Sequence, residues 1–156
     1  MYKLYIVIFF CFLSSVKGQS FKLTEPDLKK LVKLEKGSNH TKTIGYLYLL
    51  ENYKAISAKF NSKFYEWDKK AICSFNQKFD FNIEYWYESC EEGKIHEHII
   101  FPKLPTNEVK ILINKLFTSK DNKWVSQYEY EPEEGGCFYK IKQEKSKTTI
   151  QIYCGC

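Results

Sequence analysis

Arginine is absent from this chain, and every one of its 24 basic side chains is a lysine. Arginine is the residue of bidentate phosphate and guanine recognition. A chain without it is a poor sequence-specific reader of nucleic acid, so no nucleic-acid partner is expected. Glycine (7) and proline (4) are scarce, which excludes collagen-like and low-complexity classes. No segment recurs at a solenoid period. There is no Gly-rich phosphate loop, no Gly-x-Ser-x-Gly elbow and no His-Glu-x-x-His motif. Apart from one short stretch at the start, no apolar run approaches the length of a membrane span. A 44% hydrophobic share and a net charge of only +5 exclude a disordered chain. At 156 residues one domain fits, because two would each be too small for an ordinary core.

Aromatic residues are abundant: 12 Tyr, 12 Phe and 3 Trp. Such residues suit a β-rich core, and the polar tips of Tyr and Trp also suit a binding surface. The first segment is an address. Lys3 gives a positive start, and Leu4 to Leu13 is almost wholly apolar. Small residues follow at Ser14, Ser15 and Gly18. This is the pattern of a secretory signal peptide. Residues 1–18 are therefore expected to be a signal peptide and 19–156 a single α+β domain, secreted or periplasmic. Removing that segment takes away Lys3 and Lys17 and no acid, leaving only a weak attraction to anionic surfaces. Asn39-His40-Thr41 is a formal N-glycosylation sequon.

Five cysteines lie beyond residue 18: Cys73, Cys90, Cys137, Cys154 and Cys156. In an exported chain they point to disulfides. Register predicts one of them. Phe138–Lys142 and Thr148–Tyr153 read as two strands around a turn near Lys145-Ser146. Centring the hairpin there sets Tyr139 opposite Ile152 and Ile141 opposite Ile150, which makes one face apolar. The same register sets Cys137 opposite Cys154, and a bridge there closes a loop of about 17 residues worth about 2–4 kcal/mol. The pairing of the other three cysteines stays open.

Thr24-Glu25-Pro26-Asp27 opens a first helix, carried by Leu28, Leu31, Val32 and Leu34 and stopped at Gly37. From Tyr46 through Leu49, Tyr53, Ile56, Phe60, Phe64 and Trp67 to Ala71, apolar residues recur at steps of three or four. That stripe predicts a long second helix, with a break near Asn61-Ser62. Phe79 to Tyr87 alternates at period two and predicts a strand. Ile95 to Phe101 returns as another after a turn at Glu92-Gly93. Thr106–Phe117 is a third, short helix, with Val109, Leu112, Ile113 or Leu116 facing inward. Three strands follow, at Trp124–Glu131, Cys137–Lys142 and Lys147–Cys154, and the first of these pairs Tyr130 with Tyr139. The order α-α-β-β-α-β-β-β predicts an α+β fold, with helices packed on one face of a mostly antiparallel sheet. It resembles the NTF2-like cone fold in element order, which implies a pocket between helices and sheet. A cystatin-like shape is the alternative.

One constellation bears on chemistry. His96 and His98 stand at i and i+2 on a strand and share a face, and two imidazoles so placed can ligate one metal ion. The turn at Glu92-Gly93 predicts that they face Tyr85, Tyr87 and Ser89. No third ligand stands nearby in sequence, so no cofactor is expected, zinc being the ion such a pair would suit. Glu91-Glu92 and Glu133-Glu134 sit at turns, where water keeps carboxylates from being tuned for acid–base catalysis. No catalytic residue is expected. Acidic hairpin tips beside Tyr85 and Tyr87 form instead a candidate binding surface. The expectation is an exported small non-enzymatic binding protein for an unknown protein or small ligand. An inhibitor or a toxin-immunity protein of the periplasm is its sharper form. The alternative is a small-ligand-binding or metal-binding NTF2-like domain with its pocket near His96 and His98.

Overall fold

Helix α1 (Leu28–Lys36) begins where Asp27 accepts the Lys30 amide on its side chain and the Leu31 amide on its carbonyl. Asp27 is thus the cap, one turn later than the Thr24 start that the sequence suggested. The structure, a computed structural model, describes residues 21–36, 43–117, 124–132 and 135–155. The signal segment, the Asn39 sequon, His40, Glu133, Glu134 and Cys156 lie outside the described residues. Helix α2 (Ile44–Asn52) is capped by Thr43, whose hydroxyl accepts the Tyr46 amide. Its buried residues run consecutively from Gly45 to Leu49, so it is covered on most sides. Helix α3 (Thr106–Phe117) buries Val109, Leu112, Ile113 and Leu116, the face expected of it.

Seven strands form one antiparallel sheet: β1 (Phe60–Phe64), β2 (Ile72–Phe79), β3 (Ile83–Glu88), β4 (Lys94–Pro102), β5 (Glu129–Tyr130), β6 (Gly136–Gln143) and β7 (Lys147–Gly155). Their order in space is β1-β2-β3-β4-β7-β6-β5. Helix α3 carries the chain from β4 to the far edge, and β7 returns to lie between β4 and β6. Phe75, Phe79, Ile83, Tyr85, Tyr87, Ile99, Phe101, Tyr139, Ile141, Ile150 and Ile152 alternate onto one sheet face. They form a single core with the buried residues of all three helices. The fold is α+β and the expected elements follow in the expected order, with two further strands, β1 and β2, between α2 and β3.

Three departures have physical causes. The second helix is short: it ends at Asn52, and the chain after it is extended. The Ile56 amide bonds to the Lys78 carbonyl and the Asp80 amide to the Lys54 carbonyl, and strand β1 follows. Phe60 and Phe64 stand four apart, a spacing that puts two residues on one side of a helix and equally on one side of a strand. Asn61, at φ 52°, makes an irregular register in β1 that disguises the strand further. The alternation from Phe79 onward is not one strand but the end of β2 and the start of β3. Phe81 (φ 54°) and Asn82 (φ 59°) turn the chain between them. A phenylalanine in a left-handed turn position continued the period-two pattern straight through the bend. The strand expected at Trp124–Glu131 shrinks to Glu129–Tyr130 and a single bridge from Trp124 to Tyr130.

The β6–β7 hairpin has the expected register. Cys137 pairs with Cys154, Tyr139 with Ile152 and Ile141 with Ile150. Cys137 and Cys154 are joined, and a second disulfide joins Cys73 to Cys90.

Candidate functional site

The β3–β4 hairpin decides which side chains reach each face. Glu88 lies opposite His96, Tyr87 opposite Glu97, Trp86 opposite His98 and Tyr85 opposite Ile99. This is one residue away from the register that set the histidines against Tyr85, Tyr87 and Ser89, and the correction turns β4 over. Ile95, Glu97, Ile99 and Phe101 face the helices, while His96 and His98 face the open side. The choice follows from burial. The observed register puts three large apolar side chains inward, each worth about 1.5–3 kcal/mol when fully buried. The slipped register would bury two imidazoles and leave those residues in water.

Tyr85 and Tyr87, expected on a binding surface, are therefore interior residues with about 1% of their surface exposed. Tyr85 donates its hydroxyl to Glu97 Oε2 at 2.9 Å, and Tyr87 donates to Ser89 Oγ at 2.8 Å. On the open face the His98 ring lies 4.6 Å from Trp86, and the His96 ring packs edge-on to Tyr153 at 5.1 Å. His98 Nε2 meets the Gln151 amide at 3.2 Å. Partial burial, with the charges of Lys142 and His96, holds the His98 pKa below its usual value. Among the described residues no third His, Cys, Asp or Glu joins the pair to make a metal cluster.

The corrected register places Glu97 in the core. It is 2% exposed, and its Oε2 also accepts the Thr43 hydroxyl at 2.7 Å. Burial raises its pKa to about 7, against the lowering effect of these two hydroxyl donors. Glycine at position 45 makes the close approach of α2 to this group. A Cβ there would stand 3.1 Å from Ile99 Cδ1, 3.2 Å from Glu97 Oε2 and 3.3 Å from Phe117 Cζ. Gly45→Ala is accordingly expected to cost about 1–3 kcal/mol in urea denaturation, despite the better helix propensity of alanine. An unchanged midpoint would show that the helix can back away freely.

A cleft of about 1230 Å³ opens at the disulfide end of the sheet. Its floor continues the helix-facing side, through Tyr87, Ser89, Ile95, Cys137 and Cys154, beyond the helices. One wall is the end of β1 and the segment after it, with Phe64, Tyr65, Glu66 and Trp67; the other is the β3–β4 turn, with Glu91, Glu92 and Gly93. Tyr65 and Trp67 are stacked, 4.7 Å between ring centroids. The Tyr65 hydroxyl sits 2.6 Å from Ser89 Oγ, which fixes the pair to the floor. Trp67 is 79% exposed. Cys73–Cys90 ties the base of the turn to β2, and Cys137–Cys154 closes the far side.

Of the residues singled out in the sequence, Glu91, Glu92, Cys137 and Cys154 meet in this cleft. His96 and His98 lie on the opposite sheet face. Tyr87 contributes to the floor from within the core. Tyr65, Glu66 and Trp67 were missed because the helical stripe absorbed them. The signal was present: Glu66-Trp67-Asp68-Lys69-Lys70 puts a tryptophan into a run of charges, which is an exposed turn and not a buried helix face. No protein-family model, no curated protein and no solved structure matches this chain. The NTF2-like and cystatin-like likenesses thus rest on element order alone and imply no chemistry.

Proposed function

We propose that this is an exported binding protein with no chemistry of its own, which holds a partner in the disulfide-end cleft. The exposed Trp67, stacked on the half-buried Tyr65 beside a concave floor, carries the reading. A large exposed aromatic on a concave surface costs solvation unless something covers it, and rigid Trp and Tyr side chains are the usual anchors of interfaces. Two disulfides fit the oxidising compartment that a signal peptide implies. No helix among the described residues is long and apolar enough to cross a membrane. Both disulfides brace the cleft, which limits the entropy lost when it is filled. An inhibitor or a toxin-immunity protein is the sharper version.

Two measurements test this reading. N-terminal sequencing of the exported product is expected to begin at Gln19. A photo-crosslinking residue at position 67 is expected to form adducts in the native medium well above those from position 142, which lies on the open sheet face. Equal labelling at the two positions would count decisively against the cleft.

A further inference from the structure

The cleft has an electrostatic bias opposite to that of the chain. Its lining carries two lysines, and both are committed. Lys63 pairs with Glu88 at 3.3 Å and Lys94 with Glu91 at 2.6 Å. Glu66 and Glu92 also line the cleft, and neither has an ion pair or hydrogen bond among the described residues. The uncompensated charge at this mouth is negative, on a protein with a formal charge of +5. The Tyr65–Trp67 stack lines the same cleft as the two carboxylates. The negative π-face of an exposed tryptophan attracts a cation, and a planar guanidinium stacks on it. The same chain shows the contact inside itself: Lys59 Nζ lies 3.9 Å from the Phe75 ring centre and Lys110 Nζ 4.4 Å from that of Trp124.

We infer that the cleft receives a cationic side chain, an arginine or lysine presented by an extended segment of a partner protein, with Trp67 and Tyr65 as its stacking face and Glu66 and Glu92 as its counter-charges. This rests on the cleft being the binding site and adds the chemistry of the occupant. The partner's basic group meets Glu66 and Glu92, while Lys63 and Lys94 are paired with Glu88 and Glu91, and its backbone lies along the floor beside Ser89. The chain as a whole carries a net positive charge, which weakens non-specific attraction of such a partner away from the cleft.

The test uses the full oxidised protein and three soluble probes: a blocked tetra-arginine peptide, the same peptide with citrulline in place of arginine, and a neutral oligosaccharide. Citrulline keeps the shape and removes the charge. The indole N–H signals of Trp67, Trp86 and Trp124 are followed by NMR. Tetra-arginine is expected to shift Trp67 saturably and leave Trp86 in place. Citrulline should bind at least tenfold more weakly, and the Glu66→Gln/Glu92→Gln protein at least fivefold more weakly with an unchanged melting temperature. Equal affinity for the two peptides, or an unaffected double variant, overturns the cationic occupant. If the oligosaccharide shifts Trp67 and tetra-arginine does not, the cationic occupant falls and the cleft stands as a site. If no probe moves Trp67, the occupant and the cleft reading fall together.

Discussion

Replacing Glu97 with glutamine is expected to stabilise this protein by about 2 kcal/mol at pH 8 and to destabilise it by about 1 kcal/mol at pH 4. Burial lifts the Glu97 carboxyl to about pKa 7 from its ordinary value of 4.5. The folded state therefore holds this proton more tightly than the unfolded chain does. Stability from this group is fully present below the unfolded pKa and is lost as pH rises through about 7. The shift corresponds to about 3 kcal/mol, lost between roughly pH 4 and pH 8. Glutamine copies the neutral acid, keeps an oxygen for Thr43 and Tyr85, and cannot ionise. Roughly 1 kcal/mol is set aside for an amide group that needs new partners. His98 works in the opposite sense, because its lowered pKa favours the neutral ring and costs stability as pH falls. That contribution is common to both proteins and cancels in their difference. The measurement is chemical denaturation of wild type and Glu97→Gln from pH 4 to pH 8. A difference that does not grow with pH would show that the carboxyl is ionised in the fold and solvated by means not seen here.

Loss of either disulfide is expected to cost about 3 kcal/mol, and loss of both to leave a domain of this size close to unfolding at 37 °C. Each bridge spans a sequence separation of 17 residues, so the chain-entropy gain is nearly the same for both. Their structural consequences differ. Cys73 is fully buried in β2, where it holds Cys90 at the base of the β3–β4 turn, and its loss leaves a cavity there. Cys137 and Cys154 are half-buried and line the cleft, so their loss loosens its floor. The paired Cys→Ala variants, compared by urea midpoint, should fall in that order, with Cys73→Ala/Cys90→Ala the less stable. A Cys137→Ala/Cys154→Ala protein as stable as wild type would mean that the hairpin register alone holds this end of the sheet.

How much of this was legible depended on whether one pattern had one meaning. In the β6–β7 hairpin, aromatic and aliphatic residues alternate without interruption and the cysteines sit in phase with them. Turn, register, apolar face and disulfide all agreed, and the structure has each of them. Around Phe60 and Phe64 the spacing satisfied helix and strand at once, and only tertiary pairing with β2 decided between them. At Phe81 a residue that rarely adopts a positive φ hid the bend. The β3–β4 turn was misplaced by a single residue, which sufficed to exchange the two faces of β4. That slip sent His96 and His98 to the wrong side and concealed Glu97 altogether. A lone acid between isoleucines looks like a surface residue until the strand beside it is in place. The cleft was less legible still, since its two walls lie far apart in sequence and meet only through the β1–β2 and β3–β4 pairings.

The two bridges have a consequence for how the protein becomes oxidised. Four cysteines can be paired in three ways. Here each is joined to its neighbour in sequence, Cys73 to Cys90 and Cys137 to Cys154, and neither bridge crosses the seam between β4 and β7. Both alternative pairings would have to close longer loops, at an added cost of the order of 1 kcal/mol each. The pairing that random collisions favour is thus also the native one. Either meander can be oxidised correctly before the other has formed, whichever of the two bonds closes first.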